Sequence, residues 1–153
     1  MEESETDPED VHAVRKVPTD LSDIADKARV RNPVNHTTVM FRRPAVLSAG
    51  NYQRALGMED YDLWVRMLTD GSNLRNLPAV LTKARIDRQY GRRGGVSLAR
   101  SEAARQYEFL RTGFIDWSTF LFNLCTRVPA RLAPVWLREK LVMAFFRDRV
   151  KPR

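Results

Sequence analysis

From Ser97 onward the sequence allows little but helix. Ala103, Tyr107 and Leu110 recur at three- and four-residue spacing, the chain reads as helix to Thr112, and Gly113 follows as a stop. Asp116 then supplies an N-cap for a second apolar stripe made of Trp117, Phe120, Leu121 and Leu124. Pro134 opens a third segment, "PVWLREKLVMAFFRDRVKPR", with Leu137, Leu141 and Phe145 on one side. More than a third of the 153 residues is thereby committed to helix before any other element is placed.

The upstream part mixes periods. "MEESETDPED" is acidic and aperiodic and reads as an exposed tail. "VHAVRKV" alternates apolar and polar residues, the pattern of a strand, with His12 on its surface. Asp20 caps a helix whose inner face is Leu21, Ile24, Ala25 and Ala28. "RNPVNH" is turn chemistry, because the residue before a proline is biased away from helix. "TTVMF" (Thr37 to Phe41) is β-branched and apolar, which predicts a buried strand. Pro44 then starts a short helix and Gly50 ends it. The next helix is "GMEDYDLWVRML", in which Tyr61, Trp64 and Leu68 share one face, Leu63 and Met67 an adjacent one, and Gly71 closes. Strand-like pieces follow around Pro78, and then an arginine- and glycine-rich loop, "DRQYGRRGGVS".

Composition narrows the class. A hydrophobic share of 43% supports a real core. The single Cys125 excludes an internal disulfide framework and a thiolate metal cluster. No apolar run approaches the length of a membrane span, and the acidic N-terminus lacks the features of a signal peptide. The net charge of +7 is uneven. Residues 1–30 hold nine acids and four bases (−5), residues 31–84 four and seven (+3), and residues 85–153 six and fifteen (+9). Such a basic half favours anionic partners, among them phosphates, nucleic acid and acidic membrane surfaces. No nucleic-acid motif accompanies the charge.

The carboxylates Glu59, Asp60 and Asp62 open the third predicted helix. Acids in a first turn interact favourably with the helix dipole and cap free N–H groups. They also place an ionised carboxylate where a general base would need one. Pattern alone favours the first account.

Four ordered blocks, "NPVNHTTVMFRR", "AVLSAGNY", "GMEDYDLWVRML" and "RRGG", resemble the C-terminal half of a glycosyltransferase family 2 enzyme over roughly Asp10 to Phe120. The resemblance implies an α/β fold: the C-terminal part of a GT-A, Rossmann-like domain, followed by a helical tail. It implies three regions: an acidic tail with edge strand and helix at 1–30, an acceptor-side half domain at 31–95, and a basic helical region at 96–153. It implies an enzyme that moves a sugar from a nucleotide-sugar donor to a glycan or glycolipid acceptor by inverting displacement. Asp60 maps to the base and Glu59 to a residue that positions it. His36 either stabilises its turn or, as the resemblance implies, lies near the sugar or acceptor pocket, and the loop of Arg92 and Arg93 is either a flexible solvated connection or a cationic lid in which the two arginines meet the diphosphate. The family uses a divalent cation, Mn or Mg, held by an Asp-x-Asp motif. "DYD" at Asp60 to Asp62 begins a helix and is not that motif, so no metal ligand is expected in this chain, and Asp62 is expected to be solvated or capping.

The expected nucleotide-binding half does not precede these blocks. The chain is therefore expected to act with a missing half or as an oligomer, or else to be a truncated, catalytically silent module that binds a partner or a membrane surface through its basic half. Its expected place is the cytoplasm or the inner face of the membrane.

Overall fold

The computed structural model describes residues 2–4, 13–14, 17–85, 94–137 and 148–149. Five helices dominate it: α1 (Leu21–Val30), α2 (Arg43–Ser48), α3 (Glu59–Thr69), α4 (Val96–Arg111) and α5 (Trp117–Leu132). The strands are short pieces: β1 (Glu2–Ser4), β2 (Ala13–Val14), β3 (Lys83–Arg85) and β4 (Asp148–Arg149), in the order β3-β1-β2-β4. Only β1 and β3 run parallel.

This overturns the α/β, Rossmann-like fold expected from the sequence. Two- and three-residue strands do not make the layered parallel sheet of such a domain. The strand predicted at Thr37 to Phe41 shows why. His36–Thr38 closes a 3₁₀ turn, and the chain after it is extended at Val39 and Arg42 but belongs to no ladder. Met40 is 99% exposed and Phe41 is also exposed. β-branched residues favour a strand only when a neighbouring strand offers them a surface to pack on. The first residues, expected as a tail, contribute β1. Of the strand expected at Val11 to Val17, β2 is described, and His12 lies outside the described residues.

α3 sits at the centre. Leu63, Trp64 and Met67 pack with Ile24, Val34, Val46, Ala49 and Leu74. Tyr61 and Val65, on the other side, pack with Ala55, Met58, Phe109 and Ile115. A helix buried on nearly every side is apolar nearly all round, as α3 is after its first turn. Each such side chain contributes about 1.5–3 kcal/mol by leaving water.

α4 and α5 form a hairpin that turns at Gly113 and Asp116. Asp116 Oδ1 accepts from the Thr119 amide at 2.8 Å, the cap the sequence predicted. The faces of both helices differ from expectation. On α4 the buried residues are Ala99, Glu102, Gln106 and Phe109, while Tyr107 is exposed. On α5 Asn123 is buried, and Trp117 and Leu121 face outward. Polar pairing across the hairpin rotated both helices away from the apolar register.

That pairing grips the end of α1. The last carbonyls of a helix lack intrahelical partners. Tyr61 Oη donates to Ala28 O at 2.5 Å, Asn123 Nδ2 to Arg29 O at 2.8 Å, and Arg127 Nη1 to Val30 O at 2.6 Å. Burial pushes the Tyr61 phenol up to about 12, so it remains a donor. Three consecutive carbonyls are thus capped by side chains of α3 and α5, which fixes where the chain leaves α1.

The turn into α3 is equally constrained. Gly57 has φ +70°, and a Cβ there would stand 2.8 Å from Leu98 Cδ2. Gly57→Ala is expected to lower stability by roughly 1–2 kcal/mol, the cost of left-handed backbone for an L-residue. A urea midpoint equal to that of the parent would refute this.

Candidate active site

Three acids share the first turn of α3, and their surroundings set them apart. Glu59 is exposed, and its Oε1 accepts from the Gly57 amide at 3.2 Å. That is local capping. Asp62 is 1% exposed. Its Oδ1 meets Arg105 Nη1 at 2.6 Å and its Oδ2 meets Arg66 Nη2 at 2.9 Å. The expectation that Asp62 is solvated or capping is therefore wrong: it is a buried carboxylate neutralised by two guanidinium groups. A single sequence does not announce such a partner, since Arg105 lies 43 positions away.

Asp60 is half-buried. Its Oδ2 accepts from Asn32 Nδ2 at 2.7 Å. Asp60 has no ion pair among the described residues. The Asn32 amide is oriented by its other end, because Oδ1 accepts from the Val34 amide at 3.1 Å. This side-chain turn settles which atom of Asn32 faces Asp60. The capped end of α1 delivers Asn32, so the grip of α5 on α1 reaches the carboxylate.

Tyr52 and His36 complete the group. Tyr52 Oη lies 3.2 Å from His36 Nε2, and the rings are 5.6 Å apart. Burial, and then the negative charge of Asp60, hold the Tyr52 phenol above its ordinary value. The phenol is thus kept neutral at ordinary pH and able to donate. Arg66 places the turn that carries Tyr52, since it donates to Ala49 O and, at 2.8 Å, to Asn51 O. Arg105 reaches Arg54 O at 3.4 Å on the far side of the same loop. Buried Asp62 therefore positions the Tyr52 loop through its two arginines.

His36 also stacks edge-on to Trp64, with centroids 6.4 Å apart. Trp64 lines a cleft of about 710 Å³ with Val34, Asn35, Met40, Phe41 and Arg75. Asp60 and Tyr52 are not in its lining. The cleft offers volume, whereas the polar groups that can handle a proton lie beside it, across His36. The buried indole N–H of Trp64 has no hydrogen-bond partner among the described residues.

Of the residues expected from the sequence, Asp60 is bonded to Asn32 and its charge is felt at the Tyr52 phenol, while His36 meets that phenol at 3.2 Å. Glu59 is adjacent but turned back on its own loop. Arg92 and Arg93 lie outside the described residues. Asn32 and Tyr52 were not singled out from the sequence. Both stand inside the quoted blocks, so position alone was available as a signal. The described residues do not fit the divalent cation that the resemblance implies: Asp62 is saturated by arginines, Glu59 caps a loop, and no cluster of three or more metal-ligating side chains occurs among them.

No family model and no solved structure matches the chain. Known proteins do. The chain is 36% identical over 139 residues to the UDP-Gal:alpha-D-GlcNAc-diphosphoundecaprenol beta-1,3-galactosyltransferase of Escherichia coli, a match covering 90% of this chain and 50% of that protein. It is 36% identical over 132 residues to the amylovoran biosynthesis glycosyltransferase AmsE of Erwinia amylovora, covering 84% and 48%. It is 34% identical over 139 residues to a glycosyltransferase of Haemophilus influenzae, covering 90% and 51%. The chain is homologous to bacterial glycosyltransferases over about half of their length.

Proposed function

We propose that the chain carries the acceptor-side, catalytic-base portion of an inverting glycosyltransferase, with Asp60 as the base. The observation that supports this reading most is the contrast among three neighbouring carboxylates. Asp62 is neutralised by two arginines and Glu59 caps a loop, whereas Asp60 is held by one neutral amide and its charge is felt at the Tyr52 phenol. A base must be ionised, oriented and open to a proton.

In the reaction an acceptor hydroxyl oxygen attacks the anomeric carbon of a nucleotide-sugar. The new C–O bond forms as the bond to the nucleoside diphosphate breaks, and Asp60 takes the hydroxyl proton. Asn32 keeps the carboxylate aimed. Tyr52, neutral and bonded to His36, orients the acceptor by donating to a second oxygen. The names of the relatives suggest a UDP-sugar donor and a glycan or lipid-linked acceptor, used in building a surface polysaccharide.

The chain has two histidines, so the imidazole C–H resonances are a clean reporter. Titration with glycosides of N-acetylglucosamine and galactose is expected to move the His36 resonances and leave those of His12. If neither moves at millimolar acceptor, or both move alike, the acceptor site is not at His36.

A further inference from the structure

We infer that the cleft beside Trp64 is a subsite for a diphosphate carried on a hydrocarbon chain, and that Arg42 and Arg75 are the residues that select it. This rests on the reading of Asp60 as the base, and it concerns the end of the acceptor that does not react.

The cleft carries one sign of charge. Arg42 and Arg75 both line it, and no Asp or Glu is among the described residues that do. Neither arginine makes an ion pair with a described residue. The arginines deeper in the fold are already committed, Arg66 and Arg105 to Asp62, Arg127 and Arg131 to Glu102. A guanidinium fork matches phosphate oxygens in pairs, and two unmatched forks in an acid-free cleft favour a multiply charged phosphate ester.

The rest of the cleft is apolar. Met40 (99% exposed), Leu77 (69%) and Leu81 (71%) line it, and the buried Trp64, Met67 and Leu74 form its floor. Large apolar side chains exposed together, and not scattered singly, mark a binding surface. A neutral glycan would leave both arginines unmatched. Inorganic diphosphate would leave the apolar rim in water, and a nucleoside diphosphate would bring a polar base and ribose to it. A diphosphate on a hydrocarbon chain meets both halves of the lining.

Position says which part of a substrate lies here. Asp60 and Trp64 are four residues apart on α3, so they stand one above the other, a helical turn of about 5.4 Å apart. That is close to the span of a single sugar ring. His36 borders the same gap: its ring lies 6.4 Å from that of Trp64, and its Nε2 lies 3.2 Å from Tyr52 Oη. An acceptor sugar over this turn offers a hydroxyl to Asp60 and directs its anomeric substituent into the cleft. The donor comes to the reacting hydroxyl, at the opposite end of the sugar.

The test uses the 153-residue chain, geranyl diphosphate below its micellar concentration, and the methionine methyl resonances. Met40 and Met67 line the cleft, whereas Met58 packs in the other core cluster. Geranyl diphosphate is expected to move the Met40 and Met67 methyls and leave that of Met58. The R42Q/R75Q variant, changed at two exposed side chains, is expected to bind it roughly tenfold more weakly, with unchanged circular dichroism. UDP and inorganic diphosphate are each expected to bind the parent roughly tenfold more weakly than geranyl diphosphate does. Unmoved methyls at millimolar geranyl diphosphate would overturn the inference. So would equal affinity in R42Q/R75Q, or all three methyls moving alike. UDP or inorganic diphosphate binding as tightly would give the cleft to a donor or to any anion, and overturn it too. Binding here needs no transfer, so its absence counts against this subsite alone, and a parental turnover of Asp60→Asn counts against the base.

Discussion

Asp60→Asn is expected to lower the rate of sugar transfer by about 10²–10⁴-fold, the range that a positioned general base contributes. The substitution is nearly isosteric and keeps an oxygen to accept from Asn32 Nδ2, so circular dichroism and thermal midpoint should match the parent. The measurement is single-turnover transfer from a UDP-sugar to a saturating acceptor. Glu59→Gln, by comparison, keeps an oxygen to accept from the Gly57 amide and should change the rate little. An Asp60→Asn protein that turns over at the parental rate would remove Asp60 from the base role. A loss of rate matched by a lower midpoint would mean that the residue is structural.

Asp62→Asn separates positioning from chemistry. Arg66 and Arg105 would keep their backbone contacts at Ala49, Asn51 and Arg54 but lose the buried charge that assembles them. The Tyr52 loop would loosen, so the acceptor's KM should rise and stability fall together. Neither effect is expected of Asp60→Asn.

The helices were legible because their signals are local. Asp20, Pro44, Gly50, Gly71, Gly113 and Asp116 mark ends that the structure places within a residue or two, and the spacing of apolar residues finds the buried face of α3 and, on α1, Ile24 and Ala28, while Leu21 is exposed. The failures have one cause. Where polar residues pair across helices, apolar periodicity points the wrong way. Glu102, Gln106, Asn123, Arg127 and Arg131 lie off the predicted apolar stripes and form the seam between α4 and α5. The same rotation exposes Trp117 and Leu121. The predicted strand at Thr37 to Phe41 failed for a related reason, since its composition reports a preference that only a neighbouring strand can realise. At the site, Asp60 and His36 came from the ordered blocks. Their connection through Tyr52 and Asn32 is tertiary, and no spacing in the sequence encodes it.

Glu102→Ala should be the most destabilising single change in the seam. Glu102 is wholly buried, with Oε1 at 2.6 Å from Arg127 Nε and Oε2 at 2.8 Å from Arg131 Nη2. Gln106 Nε2 also donates to it at 3.3 Å. Removing the carboxylate leaves two largely buried guanidinium groups without their anion, a class of change that costs about 3–5 kcal/mol. That is a large part of the roughly 5–15 kcal/mol that holds a domain folded. At about 2–4 °C per kcal/mol for a chain of this size, the midpoint should fall by roughly 6–20 °C. The penalty depends on pH in a defined direction. Burial raises the Glu102 pKa, but the charges and hydrogen bonds of Arg127 and Arg131 outweigh it and leave the group below its ordinary value. A carboxyl depressed in the folded state binds fewer protons there than in the unfolded chain. Its contribution is complete above the ordinary carboxylate range and is lost as pH falls through the depressed value. The gap between parent and Glu102→Ala should therefore be widest near neutrality and close in acid. Equal gaps at pH 7 and at pH 3 would show that the loss comes from packing and that the buried charge contributes nothing. If the gap closes as expected, the carboxylate that holds Arg127 against the end of α1 also fixes Asn32 and, through it, the carboxylate of Asp60.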